Sequence, residues 1–324
     1  MRKVSTYKMA FTLLAATSLL AGCSGDDDFN GNGNVNGNNS NTITFNTNVN
    51  NFISKAATYD DAEALQKEGS FTCAAYEANT PYTFFEPTKV IWDSNEDKWK
   101  FAEAQYWKYA SALDFFAYMP AEKPAYISSI SYSTARQPQF VCTLPIDQSS
   151  TKEFICALAT DKTKANSPSG VSMTFQHVFA KLIFKLDNPD TDGITINSVK
   201  ITQNDSEVGV YTSGTCTFNG TTPTPTPTWT DKGTSAAIIA KVDEPYLVIP
   251  HDYSATNMKI TVDATWTKWN KVEHVIKTAT IQNVTKGTGT DKLMKWEAGY
   301  SYLFTLTFTP DILVVNTEKW AEQM

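Results

Sequence analysis

The sequence predicts an all-β protein of two sandwich domains, and three observations carry that expectation. Apolar and polar residues alternate with a period of two through Ile43–Val49, Met258–Trp266 and Tyr300–Phe308, the pattern of half-buried strands. Asn and Thr are abundant, and Thr on an outward strand face is a β signature. After the first two dozen residues there is no long uncharged segment of helical period. The 324 residues exceed one ordinary core even when a leader is set aside, which points to two domains. Strands that alternate this way pack as antiparallel sandwiches with one wet face each.

The leader comes first. Arg2, Lys3 and Lys8 precede an apolar run from Met9 to Ala21 that is long enough for an export signal and too short to span a bilayer. Leu20-Ala21-Gly22-Cys23 resembles the lipobox of bacterial lipoproteins. That resemblance implies removal of residues 1–22, cleavage between Gly22 and Cys23, and acylation of Cys23. Two or more acyl chains, at roughly 0.8 kcal/mol per buried CH₂, give stable membrane attachment. Ser24-Gly25-Asp26-Asp27-Asp28 is similar to the acidic tag that sends Bacteroidetes lipoproteins to the outer face of the outer membrane; a solvated acidic spacer is the other reading. Residues 23–41 are Asp, Gly and Asn with almost nothing apolar, a composition expected to form a flexible tether. Gly31-Asn32-Gly33 is not a dinucleotide loop, because Gly37 falls one place late and no strand or helix flanks it.

Order is expected from Ile43, with Ile43, Phe45, Thr47 and Val49 on one face. A short helix or loop follows over Thr58–Lys67, then a strand over Phe71–Tyr76. Lys89–Trp92 and Lys98–Phe101 flank Asp93-Ser94-Asn95-Glu96-Asp97 as a hairpin. Leu113–Tyr118 reads as a strand stopped at Met119-Pro120. Phe175–Asp187 reads as one long strand, with Val178, Ala180, Leu182, Phe184 and Leu186 inward and Lys181 and Lys185 on the other face. Asn188-Pro189-Asp190 breaks the chain, placing the domains at residues 42–188 and 189–324. Beyond it, Met258–Trp266 turns near Lys268–Asn270 into a return strand over Val272–Ile281, and Thr221–Thr228 is a Pro-Thr surface loop. Near the end, Ile312-Leu313-Val314-Val315 looks apolar on both faces, unlike every earlier strand, so it is central in its own sheet or intended for another surface.

Charge and motifs exclude several functions. The chain has 27 Lys+Arg against 34 Asp+Glu, and the leader removes three of the bases, which argues against nucleic acid as a partner. Arg2 and Arg136 are the only arginines, so clamps for phosphate or carboxylate ligands are not expected. Besides Cys23, Cys73, Cys142, Cys156 and Cys216 match no metal or redox spacing. Their apolar neighbours at alternating positions favour buried thiols, with two disulfides in three pairings as the alternative. His177, His251 and His274 are scattered, there is no His-Glu-x-x-His, nucleophile elbow or phosphate loop, and Asp60-Asp61 sits in a polar stretch. His177 reads as a packed, hydrogen-bonded core histidine. No enzyme, metal or cofactor is expected. Trp92, Trp99, Tyr106 and Trp107 could stack sugars, which keeps a monomeric surface glycan-binding lipoprotein as the rival reading, although aromatics at hairpin spacing more often pack across strands.

Taken in order, several features resemble the fimbrillin family of Bacteroidetes. They are the lipobox, the tether, a first strand leading to Ser54-Lys55-Ala56, then Leu113-Asp114-Phe115-Phe116-Ala117-Tyr118-Met119-Pro120. Phe175-Gln176-His177-Val178-Phe179-Ala180-Lys181-Leu182 and Trp296-x-x-Gly299-Tyr300-x-Tyr302 complete the series. The resemblance implies two transthyretin-like Greek-key β-sandwich domains and a place in type V pili on the cell surface, supporting adhesion to a host or bacterial receptor. It further implies that an exported trypsin-like protease cuts the N-terminal segment after a basic residue, and that a strand from another fimbrial subunit fills the groove left behind. Lys55, followed by Ala56, is the only Lys or Arg between Cys23 and Lys67, where family processing often favours arginine. Losing a strand that buries Ile43, Phe45 and Val49 would uncover about three side chains at roughly 1.5–3 kcal/mol each, at most ~5–9 kcal/mol. A marginally stable domain would need a replacement. The expected donor is Ile312, Leu313, Val314 and Val315. Only four residues follow Trp320, which suits a tip or accessory subunit as well as a stalk.

Overall fold

The structure, a computed structural model, describes residues 41–49, 59–80, 82–108, 111–133, 136–187, 193–203, 209–222, 225–233, 235–268, 271–281, 294–308 and 313–320. Asn41–Met324 form one compact unit. The expected boundary at Asn188-Pro189-Asp190 lies outside the described residues.

Strand β1 (Thr44–Val49) is followed by α1 (Ala62–Glu68), a helix with both ends capped. Asp61 accepts from Ala64 N at its start, and Gly69, at φ 77°, donates back to Leu65 O at its end. Then come β2 (Ser70–Glu77), β3 (Thr83–Asp93), β4 (Lys98–Phe101) and β5 (Leu113–Met119). Next are β6 (Ile127–Ser133), β7 (Gln137–Thr143), β8 (Ile155–Lys162), β9 (Val171–His177) and β10 (Ala180–Leu186). The later chain supplies β11 (Ile194–Gln203), β12 (Val210–Tyr211), β13 (Ser213–Phe218), β14 (Pro227–Thr230), β15 (Ser235–Ala236) and β16 (Ile238–Ala240). It continues with β17 (Pro245–Val248), β18 (His251–Asp252), β19 (Met258–Lys268), β20 (Lys271–Ile281), β21 (Lys295–Trp296), β22 (Ser301–Phe308) and β23 (Leu313–Trp320).

Seven strands close on themselves in the order β1-β4-β3-β2-β5-β8-β9 and enclose a first core of residues between Ile43 and Phe175. A second core lies between the sheets β17-β10-β22-β23 and β16-β11-β19-β20; Phe184 and Phe304 stack within it at 5.1 Å. The third core is shared. The sheet β14-β13-β7-β6 covers the outer face of β5 and β8, and Val178, Phe179, Leu247 and Ile249 complete the cluster.

This layering corrects two expectations. β5 does not have one wet face: Leu113, Phe115, Ala117 and Met119 fill the barrel, while Phe116 and Tyr118 belong to the shared core. β8 behaves likewise, with Ile155, Ala157 and Ala159 inside and Cys156 and Leu158 outside. Two-sided burial is therefore a property of these middle strands. On β23, by contrast, Val314 is 45% exposed and Leu313 and Val315 are only partly buried. The second correction concerns Phe175–Asp187, which is two strands rather than one. The chain leaves the barrel as β9, crosses through the wholly buried Val178 and Phe179, and enters the second core as β10. A crossing between two cores is apolar on every side, so the sequence shows no break there.

Two buried charged clusters hold the layers. Asp114, on the outer face of β5, accepts from Arg136 Nε (2.7 Å) and Nη2 (2.5 Å), from Tyr132 Oη (2.8 Å) and from Asp161 N (2.9 Å). Arg136, the one arginine after the leader, is thus spent inside the fold, and Gly220 lets the chain pass it: a Cβ there would lie 2.4 Å from Arg136 O. In the other cluster Lys181, expected on a wet face, is 5% exposed and sits 2.7 Å from Glu153 Oε2. Glu153 Oε1 takes the Nδ1 of the buried His177 at 2.7 Å. Burial alone would raise the Glu153 pKa, but the charges of Lys181 and His177 outweigh it and hold the group down at about 2. Cys73, Cys142, Cys156 and Cys216 are all buried free thiols.

Candidate assembly site

The site is the slot that β1 occupies. β1 closes the barrel between β4, which it meets antiparallel at Thr44↔Lys100 and Phe45↔Trp99, and β9, which it meets in parallel from Phe45↔Val171 to Val49↔Phe175. The alternation of Ile43–Val49 puts Ile43, Phe45 and Val49 inside, at 1%, 1% and 2% exposure, and Asn46 and Asn48 in solvent. Phe45 is the centre of the packing. Its ring meets Phe71, Phe101 and Phe115 edge-on at centroid distances of 5.6, 5.3 and 5.8 Å.

Residues ahead of the strand anchor it. Asn41 and Trp107 exchange hydrogen bonds, Trp107 N to Asn41 O (3.0 Å) and Asn41 Nδ2 to Trp107 O (2.9 Å), while Ile43 N donates to Gln105 O at 2.8 Å. Asn46 Nδ2 reaches Ser169 O at 3.2 Å. Gly170 lies beside the strand at φ +117°, and a Cβ on it would come 3.1–3.3 Å from Thr44. Only glycine combines that backbone with so close an approach. Gly170, Asn41 and the parallel pairing with β9 were not visible in the sequence pattern. A glycine after Ser167-Pro168-Ser169 marks a turn but not what passes over it.

β23 is elsewhere. It forms an edge of the second core's sheet, paired antiparallel with β22 from Ser301↔Trp320 to Phe308↔Leu313. Leu313 and Val315 pack against the second core and Ile43, Phe45 and Val49 against the first, so the two sets of apolar residues are not brought together within one chain. Gly22, Cys23, Lys55, Ala56 and Ile312 lie outside the described residues. The aromatics of the rival glycan reading do not make a platform: Trp99 and Trp107 are core, Trp92 packs on Trp99 at 5.3 Å, and Tyr106 stands exposed. His274 is exposed beside Asp263 at 2.8 Å, and no group of three potential metal ligands occurs among the described residues. No helix among them is long and apolar enough to cross a membrane.

Fold and site together define a β-rich protein whose first barrel is closed by its own N-terminal strand. The chain belongs to the fimbrillin-like family, whose model matches residues 41–320. Among solved structures it is similar to a fimbrial protein from Bacteroides vulgatus, at 16% identity and TM-score 0.55, covering 86% of this chain and 99% of that one. It is also similar to a fimbrial assembly protein from Parabacteroides distasonis (10% identity, TM-score 0.45, 86% and 94% covered). The tip fimbrial protein Mfa3 from Porphyromonas gingivalis aligns at 10% identity and TM-score 0.39, with 87% and 100% covered. The first of these shows a shared fold. No curated protein matches the chain.

Proposed function

We propose that this chain is a structural fimbrial subunit, or a tip or accessory protein of the fimbrium, rather than an enzyme. It is exported as a lipoprotein through Cys23 and held on the outer membrane until an exported trypsin-like protease cuts after Lys55. The cut frees β1, and a strand from another subunit takes its place, with Ile312–Val315 of this chain as the strand offered in turn. In this reading the halves 42–188 and 189–324 are the two transthyretin-like domains, and the assembled fibre presents a surface for adhesion to a host or bacterial receptor.

One observation carries the reading. β1 closes the barrel at its single parallel junction, and its departure would leave the edges of β4 and β9 unpaired around an apolar slot. An extended strand supplies both ladder hydrogen bonds and alternating side chains to such a slot. Limited trypsin treatment followed by SDS gels tests it. Cleavage at Lys55 is expected to release β1 and give SDS-resistant ladders, and Lys55→Ala to abolish both. A cut protein that stays monomeric refutes assembly by exchange.

A further inference from the structure

The sheet β16-β11-β19-β20 ends on β20, which is paired with β19 alone among the described residues. At eleven residues β20 is the longest edge strand among them, whereas β16, at the other end of the same sheet, has three. An open edge of this kind invites another strand, and natural sheets guard against it with proline, bulges, short strands or covering segments. β20 contains no proline, and its register with β19 runs unshifted from Met258↔Ile281 to Lys268↔Lys271. Its outward face is apolar in places, with Val272 69% and Ile276 57% exposed. The charges lie on the other face. Partners across a ladder share a face, so Val275 and Lys277 lie on the side of Ala264 and Val262, which are buried in the second core, and Glu273 follows by alternation. Val275 packs against that core, while neither Glu273 nor Lys277 has an ion pair or side-chain hydrogen bond among the described residues.

We propose that β20 is the interface for a second copy of this chain, whose own β20 pairs with it antiparallel about a two-fold axis at Val275. A two-fold perpendicular to the sheet keeps every side chain on its face, so the axis must stand between a residue and its own copy. The registers nearest the middle of the strand then differ sharply. With the axis at Val275, Glu273 stands opposite Lys277 of the second copy, Lys277 opposite its Glu273, and Val275 opposite itself. Moving the axis to His274 sets Lys277 against Lys271, and moving it to Ile276 sets Lys277 against Val275. Opposite charges across an antiparallel pair stabilise it and like charges do the reverse, so the Val275 register is the one selected. On the outer face the same register brings the two Ile276 side chains to diagonal positions, within reach of each other, and so covers apolar surface that a single chain leaves in water. Charges that repel an unmatched strand from this edge thus fit a copy of the edge itself. Strand-to-strand contact buries less than a standard interface, so the dimer is expected to be weak and reversible. None of these residues lies on β1 or β23, so the proposal stands apart from strand exchange.

Sedimentation of the full, uncut chain over a concentration series tests it, and a monomer–dimer equilibrium is expected. Glu273→Lys and Lys277→Glu, each made alone, set like charges across both contacts and are expected to weaken the dimer about tenfold or more while keeping the far-UV spectrum of the parent. Mixing the two variants restores opposite charges at both contacts, and the mixture is expected to form a heterodimer about as tight as the parent dimer. Association through any other surface, the leader and the barrel slot included, would not follow that pattern. A chain that stays monomeric at every concentration overturns the proposal. So does a dimer indifferent to the single substitutions, or a pair of folded variants that fail to recover on mixing.

Discussion

Phe45→Ala gives a sharp measure of what β1 contributes. The side chain is 1% exposed and its ring touches three other phenylalanines within 5.8 Å, in a barrel whose wall on that side is β1 itself. Buried Phe→Ala changes cost about 3–5 kcal/mol, and the upper part of that range applies where neighbours cannot collapse into the hole. Phe71, Phe101 and Phe115 lie on three different barrel strands, β2, β4 and β5, each held by pairing with its neighbours, and have little freedom to do so. Urea unfolding followed by fluorescence, with Trp99 and Trp107 in the same core as reporters, is expected to show a loss of that size in the uncut chain. After cleavage at Lys55 and loss of β1 the two proteins are the same molecule, so their unfolding curves are expected to superimpose. A cost below about 1 kcal/mol in the uncut form would be that of a surface position and would refute the packing account. A difference that persists after cleavage would mean that β1 never leaves.

Other perturbations probe the supports of the slot. Arg136→Met strands Asp114, which is wholly buried, and is expected to cost about 3–5 kcal/mol in chemical denaturation; adding Asp114→Asn should recover part of it. Gly170→Ala forces a side chain onto Thr44 at a φ of +117°, with an expected cost of about 1–3 kcal/mol and faster tryptic release of β1. The Glu153 pKa falls from 4.5 to about 2 on folding, so its contribution is complete above pH 4.5 and is lost as the pH drops toward 2. The melting midpoint of the native chain is therefore expected to fall more steeply across that interval than that of Glu153→Gln, which starts lower and stays flatter.

Alternation told which residues of Ile43–Val49 and Met258–Ala264 face inward, because one face of each meets a core and the other is more exposed. In β22 it told Tyr302, Phe304 and Leu306, although Ser301 and Leu303 on the other face are buried as well. It failed where a strand serves two cores. Asp114 made Leu113–Met119 look half wet, yet its partner Arg136 lies 22 residues further on and brings the carboxylate into the interior. Lys181 misled in the same way, since the acid that neutralises it, Glu153, comes from the segment before β8. The inward face of the assembly site was legible for the same local reason. Its closure was not: the pairing of Phe45 with Val171 joins residues far apart in the chain, and no local pattern encodes a partner at that separation.

The passage from β9 to β10 has a mechanical consequence. Only Val178 and Phe179 separate the last barrel strand from the first strand of the second core, and two residues can extend by no more than about 7 Å. Tension applied across the molecule therefore meets almost no slack along this route. It would load the β9 and β10 ladders lengthwise, many hydrogen bonds at once, instead of unzipping them from one end.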